Sequence, residues 1–144
     1  MNNSKLIEWI LRIGVAGEFI GHGLFATGLM PDAKIMIFSA PLSIPQKAQW
    51  VGWIHQMTGI DMALAAQLLF FVGLFDLFVA FLVLVKPVRI ALLWAAFWGF
   101  WTALVRPLVG EPIMDFIERW ANWAAPLALL MLRGWPRNLK EWLS

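Results

Sequence analysis

The chain has 144 residues, of which 61% are hydrophobic and 14% charged, with a formal net charge of +2. Soluble domains are typically about 45–50% apolar and about 25% charged, so a soluble chain of this composition could not cover its surface with polar groups. The absence of cysteine excludes disulfides and thiolate chemistry, and the small net charge without a basic run argues against a nucleic-acid partner. We therefore expect one domain that is embedded in a lipid bilayer.

Four long apolar segments follow one another along the chain. Lys86-Pro87 separates the second from the third and Arg106-Pro107 ends the third, because proline stops a helix. Each segment is near the roughly 17–25 residues that a helix needs to cross a bilayer, and the period-two alternation of a membrane β-barrel is missing. The sequence predicts an all-α, integral membrane bundle, a single transmembrane domain over residues 1–144 with helices at about 6–30, 62–85, 88–105 and 116–132.

The first segment is expected to be a retained helix and not a cleaved signal peptide. Charged and polar residues interrupt its apolar stretch, and no small-residue cleavage site follows it cleanly. Met30-Pro31-Asp32 is expected to end it. The interrupting residues are Glu8, Arg12, Glu18 and His22.

Residues 31–61 are less regular and include Pro41 and Pro45, which make a fifth span hard to fit. We predict an irregular interfacial segment on the extracytoplasmic side, with a short amphipathic helix at about 46–57. Its role as a lid, a partner surface or an anchor is left open by the sequence.

The distribution of Lys and Arg predicts the orientation in the membrane. If both termini lie on one side, that side carries most of the basic residues, and the opposite side carries basic residues diluted by acidic ones. We therefore expect cytoplasmic termini in a multi-pass protein of the cytoplasmic membrane. The basic residues on the terminal side are Lys5, Lys86, Arg89, Arg133, Arg137 and Lys140; those on the other side are Lys34, Lys47, Arg106 and Arg119.

Glu18 and His22 lie near the middle of the first predicted helix, and a spacing of four places them on one face. Ionisable residues at membrane depth are costly and usually face the interior of a bundle. Gly17 and Gly21 form a small-xxx-small pair that allows close helix packing. Glu18 and His22 either form part of a functional site or are bonded only to each other.

Asp76 lies deep in the second predicted helix, at a depth similar to Glu18 if the two helices are antiparallel. Two carboxylates in one apolar pocket repel, so one is protonated or matched to a cation such as Arg12, His22 or Arg106. The alternative is a partly buried carboxyl group bonded to backbone or water.

The third and fourth predicted helices offer aromatic and polar groups for a ligand. Trp98 and Trp101 lie on an aromatic stripe that either lines a quinone or haem pocket or packs against neighbours. Pro126 frees the Asn122 carbonyl, a candidate ligand or water site. Arg106 is pinned by Pro107 near the outer polar layer.

Metal and haem sites have little support in the sequence. His22 and His55 are the only imidazoles, and no haem-attachment motif is present. A metal site formed by His22, Glu18 and Asp76 is equally unspecific, so we predict no metal site and leave the cofactor open, with a quinone ahead of haem.

Two motifs resemble the DoxX-like family of small four-helix bacterial and archaeal membrane proteins. Arg12-Ile13-Gly14 with the later His22-Gly23 pair is similar to the first helix of that family. Gly73-Leu74-Phe75-Asp76 is similar to its Gly-x-x-acidic segment, with Asp where Glu is more usual. One departure is Leu24-Phe25-Ala26, where a basic residue often follows the His-Gly pair.

The resemblance implies a membrane subunit of a redox system linked to sulfur or thiol chemistry, which binds a quinone and meets a redox partner subunit. Glu18, His22 and Asp76 would then relay protons as the catalytic group, since imidazole titrates near neutral pH. A small proton-coupled transporter or permeability factor, acting as a homo-oligomer, and a non-catalytic scaffold are the alternatives. The cofactor-binding residues in this hypothesis are Arg106, Trp98, Trp101 and Asn122.

Overall fold

The computed structural model describes residues 3–37 and 40–144, with side chains described for 3–29 and 43–144. Predictions that depend on Phe38 and Ser39, or on the side chains of 30–42, lie outside the described residues. The protein is mostly helical. Its elements in chain order are α1 (Asn3–Thr27), β1 (Met30–Ile37), β2 (Ala40–Ile44), α2 (Ala48–Thr58), α3 (Met62–Val85), α4 (Arg89–Leu108), α5 (Ile113–Ile117), α6 (Trp120–Leu132) and α7 (Leu139–Trp142).

Helix α1 ends three residues earlier than predicted, at Thr27 and not at Met30. The hydroxyl of Thr27 donates to the Gly23 carbonyl at 2.8 Å, and the amide of Gly28 donates to the Leu24 carbonyl at 2.9 Å. Gly28 has a φ of 62°. A glycine in this left-handed conformation is a common way to end a helix, because it has no Cβ to clash.

Residues 31–61 are more ordered than predicted. Strands β1 and β2 pair antiparallel, with Met36 opposite Pro41 and Ile37 opposite Ala40, and α2 follows. Pro41 and Pro45 suggested irregular chain, but Pro41 lies in β2, which is an edge strand where a missing amide is tolerated, and Pro45 directly follows β2. The short helix predicted at 46–57 is confirmed at Ala48–Thr58.

The predicted fourth helix is broken into α5 and α6. The guanidinium of Arg119 donates to the Asp115 carbonyl at 2.8 Å and pairs with Glu118. A side chain therefore binds a carbonyl of the last turn of α5, as is common at helix ends. Helix α4 in turn continues past its predicted end at 105 and includes Pro107 in its final turn.

Two of the described helices, α3 and α4, are long and apolar enough to cross a membrane. Helix α6 has 13 residues, or about 20 Å at about 1.5 Å per residue, which is less than the about 30 Å of a bilayer core. Much of α3 is exposed: Leu68, Phe71, Leu74 and Phe78 are between 40% and 64% accessible.

The chain divides into two compact units, the first comprising Met1–Glu18 and Val79–Ser144 and the second Phe19–Phe78. In the first unit, α4 packs against α6, with Leu92, Leu129 and Leu130 fully buried. In the second unit, the core contains Ala26, Val51, Ala65 and Leu69.

Candidate functional site

Asp76 is a buried carboxyl group on an otherwise apolar helix. Its side chain is 3% exposed. It lies on the buried stripe of α3, which repeats every three to four residues, whereas the neighbouring Leu74 and Phe75 are exposed. The helical period thus turns Asp76 towards the protein interior. The residues of this stripe are Leu69, Gly73, Asp76, Ala80 and Val83.

Helices α1 and α3 approach closely within the second unit, next to Asp76. A methyl group at Gly23 would lie 2.8 Å from the Gly73 carbonyl oxygen, and one at Gly73 would lie 2.7 Å from the Gly23 carbonyl oxygen. Small residues at both positions are therefore required. The contact sets Gly23 opposite Gly73, and Asp76 lies about one turn further along α3.

His22 is half-buried and contacts an aromatic ring of α2. Its ring meets Trp50 edge to face, with 5.5 Å between the centroids. Trp50 also packs against Phe25, and the Lys47 ammonium lies over Phe25 at 4.6 Å from the ring centroid. Sequence reasoning missed this cluster because its members belong to two helices separated by the hairpin.

Glu18 belongs to the first unit, whereas His22 and Asp76 belong to the second. Glu18 is half-buried, and its Oε1 atom is screened from solvent. The proton relay through Glu18, His22 and Asp76 stays a prediction.

Arg12 binds the end of a helix. It is 8% exposed, its Nε donates to the Val83 carbonyl at 3.0 Å, and its Nη2 donates to the Leu84 carbonyl. Pro87 lacks the amide that would bond to the Val83 carbonyl, and a cation also suits the negative end of the helix dipole. The Lys86-Pro87 break was a sequence signal for such a partner. Arg12 was a candidate counter-ion for the buried acids, but it binds the carbonyl end of α3. Its Nη1 atom also lies 3.8 Å from Glu8 Oε1.

Arg106 is 7% exposed at the end of α4. Its Nη1 donates to the Thr102 carbonyl at 2.8 Å, one turn back along the helix. The charges of Arg119, Asp115, Glu118 and Glu111 act on it. The structure therefore places Arg106 in a mixed layer of charges at this end of α4.

Only part of the predicted tryptophan stripe packs against other side chains. Trp98 stacks on Trp94 with 5.6 Å between centroids and 13° between ring planes, whereas Trp101 is 36% exposed. A second aromatic cluster, which sequence reasoning missed, joins α4 to α5 and α6. It contains Phe100, Phe116, Trp120 and Trp123.

Asn122 contacts α4 through its backbone. A methyl group at Gly99 would lie 2.4 Å from the Asn122 carbonyl oxygen. Pro126 removes the amide to which this carbonyl would otherwise bond. The carbonyl that was expected to face a ligand or water packs against Gly99.

The histidines serve local contacts. His55 Nδ1 is hydrogen-bonded to the Ile60 carbonyl beyond the end of α2. Within the described part of the chain, no group of three or more His, Cys, Asp or Glu residues is arranged to hold a metal ion.

No family model, curated protein or solved structure matches this chain. The resemblance to DoxX-like proteins therefore rests on the two short motifs of α1 and α3.

Proposed function

We propose that the chain is an integral membrane protein in which α1, α3, α4 and the α5–α6 segment form a four-helix bundle in the cytoplasmic membrane, with cytoplasmic termini. Support comes from the large apolar side chains that α3 exposes along its length. An apolar patch on a soluble monomer is typically about 300–600 Å², so exposed Phe and Leu side chains along a whole helix are better suited to lipid.

Within that bundle, we propose a DoxX-like membrane subunit of a redox system that binds a quinone or a similar small molecule. The observation that carries this proposal is the burial of Asp76 on the most apolar helix. An acid near the bilayer centre costs about 2.5–3.5 kcal/mol on insertion scales, so such residues are usually functional.

The residues suit a quinone in chemical terms. In the second unit, Asp76 and His22 would hold and move protons. In the first unit, Glu18 would do the same, the guanidinium of Arg106 would bind a carbonyl oxygen, and Trp98 would present a flat aromatic face. A bound quinone supplies two-electron redox chemistry accompanied by proton uptake. Trp101 and the side chain of Asn122, both in the first unit, are the remaining residues of this proposal.

The test uses protein purified from membranes that have been washed with alkaline carbonate. We expect the chain to resist the wash and to bind a short-chain quinone analogue, and Asp76→Asn to raise the Kd about tenfold, as for loss of a hydrogen bond to a charged group. The matched control is Asp61→Asn, since Asp61 is exposed and accepts from the Leu64 amide, which Asn can also do. Equal affinity in both variants, or no binding at all, would contradict the quinone site.

A non-catalytic scaffold is the second candidate, and a specific observation favours it. Several polar side chains donate to main-chain carbonyls: Arg12 to the end of α3, Arg89 to the end of α6 and Gln46 to two helices. These contacts stabilise packing. If Glu18→Gln, His22→Ala and Asp76→Asn leave ligand binding, redox activity and transport unchanged, the scaffold is the function that survives.

A further inference from the structure

Residues 134–144 are bound by hydrogen bonds to one side chain, Arg89. We define the terminal arm as residues 134–144, which include α7. Arg89, the first residue of α4, donates from Nε to the Gly134 carbonyl at 2.9 Å and from Nη1 to main-chain oxygens of Glu141 and Ser144, each at 3.1 Å. Its Nη2 donates to the Arg133 carbonyl at 2.7 Å. The guanidinium thus fixes the arm at both ends.

The arm has its own local fold. The side chain of Asn138 accepts from the Glu141 amide at 3.1 Å and donates to Glu141 Oε1 at 2.7 Å, while Oε2 accepts from the Arg137 amide at 2.8 Å. This reciprocal capping defines the start of α7. It also engages the Glu141 carboxylate, which is the only acidic side chain of the arm.

Large apolar side chains of the arm point away from the protein. Leu139 is 84% exposed, Leu143 66% and Trp135 53%. Trp135 also contacts the ring of Trp142, with 5.8 Å between centroids. Because Arg89 and the cap already bind the backbone of the arm, these side chains are held outward.

The arm also carries two basic side chains, Arg137 and Lys140. Glu8 pairs with Arg133 at 2.9 Å and with Arg12 at 3.8 Å, so its charge is engaged. Among the described residues, Arg137 and Lys140 in the arm form no ion pair with a carboxylate, and neither do Lys5 and Lys86. The surface therefore combines exposed tryptophan and leucine with an excess of positive charge.

We propose that the terminal arm is a binding surface for the anionic headgroups of a phospholipid leaflet. Tryptophan and leucine suit the headgroup boundary, and basic residues beside a membrane helix attract anionic lipids. This inference rests on the proposed membrane insertion. The charge selects an acidic lipid over a zwitterionic one, and the apolar side chains enter the boundary below the headgroups.

The test measures lipid binding to the detergent-purified full chain by native mass spectrometry, with phosphatidylglycerol and phosphatidylcholine compared. We expect preferential binding of phosphatidylglycerol, and we expect Arg137→Gln and Lys140→Gln each to raise its Kd about fivefold, in keeping with the contribution of one basic residue at an anionic surface. Lys47→Gln is the matched control, because Lys47 is also exposed but lies over Phe25 in the second unit. A second variant, Leu139→Gln, should weaken both lipids without affecting folding, since Leu139 is almost fully exposed.

Two results would overturn the inference: equal binding of the two lipids by the wild-type chain, or equal effects of Lys140→Gln and Lys47→Gln. A carbonate wash separates this failure from failure of the proposed function. If the chain resists the wash but binds both lipids equally, the arm proposal is contradicted and the proposed membrane insertion stands. A chain that the wash releases, yet that sediments with phosphatidylglycerol vesicles through Arg137 and Lys140, supports the arm and contradicts insertion.

Discussion

At the scale of single residues, a close contact between α4 and α6 depends on a glycine. Gly99 faces the backbone of Asn122, and that carbonyl is free to approach because Pro126 supplies no amide. Backbone atoms cannot move aside as a flexible side chain can. Gly99 and Pro126 therefore act together, although they lie on different helices.

Gly99→Ala should destabilise the protein. Its new methyl group would meet the Asn122 carbonyl oxygen at 2.4 Å and push α4 and α6 apart, at a cost of about 1–3 kcal/mol. The measurement is the thermal unfolding midpoint in detergent. Gly14→Ala is the control, because no atom lies within 4 Å of the added methyl group and alanine favours a helix by about 0.5–1 kcal/mol. Equal midpoints for the two variants would contradict the prediction, because they would mean that α4 and α6 can move apart without loss of stability.

At the scale of elements, polar side chains fix how helices end. Arg12 binds the final carbonyls of α3, and Arg119 binds a carbonyl of α5 at the break before α6. In the second unit, the Gln46 amide donates to the Ala26 carbonyl at 2.8 Å and to the Ala66 carbonyl at 2.9 Å. One side chain thus joins the last turn of α1 to the first turns of α3.

Gln46→Leu should lower the free energy of unfolding by about 1–3 kcal/mol, because two partly buried carbonyl groups lose their donor. The comparison is Gln67→Leu, at an exposed position of α3. Chemical denaturation in mixed micelles, followed by circular dichroism, measures both. If Gln67→Leu lowers the free energy of unfolding as much as Gln46→Leu, the loss of stability comes from the change of residue type and not from the two hydrogen bonds of Gln46.

At the scale of the whole molecule, the exposed apolar surface of α3 is the main physical fact. Both described candidate spans have most of their apolar window outside the core: 33% of it is buried for α3 and 39% for α4. In a soluble protein, a core helix would bury most of its surface. This exposed apolar surface is the observation on which the proposed membrane insertion rests.

Leu74→Arg distinguishes a bilayer from water as the surroundings of α3. Leu74 is 40% exposed near the middle of the helix, where arginine costs about 2.5–3.5 kcal/mol of insertion free energy. We expect the carbonate-resistant fraction to fall strongly for Leu74→Arg and little for Met62→Arg, at the exposed start of α3. In water both changes would be tolerated and would improve solubility, so an unchanged fraction for Leu74→Arg would contradict the bundle.

The candidate site could be predicted from sequence in part. The sequence placed Asp76 deep in a long apolar helix, where an ionisable residue is expected to face the protein interior. Because α3 is apolar on all sides, the structure was needed to show which of its faces is buried. The partners of polar side chains could not be predicted. Arg12 bonds to Val83, 71 residues away, and the contact of His22 with Trp50 depends on the path of the chain through the hairpin.

The sequence by itself determined the helical character of the chain, the bounds of α3 and the short helix after the hairpin, because the length of an apolar run and the proline breaks beside it are local properties of the chain. Only the tertiary structure decided that β1 pairs with β2, that the predicted fourth helix breaks at Glu118 and Arg119, and that the Asn122 carbonyl meets Gly99. These features depend on where backbone groups find partners across the fold, and local residue preference does not specify a partner that is distant in sequence.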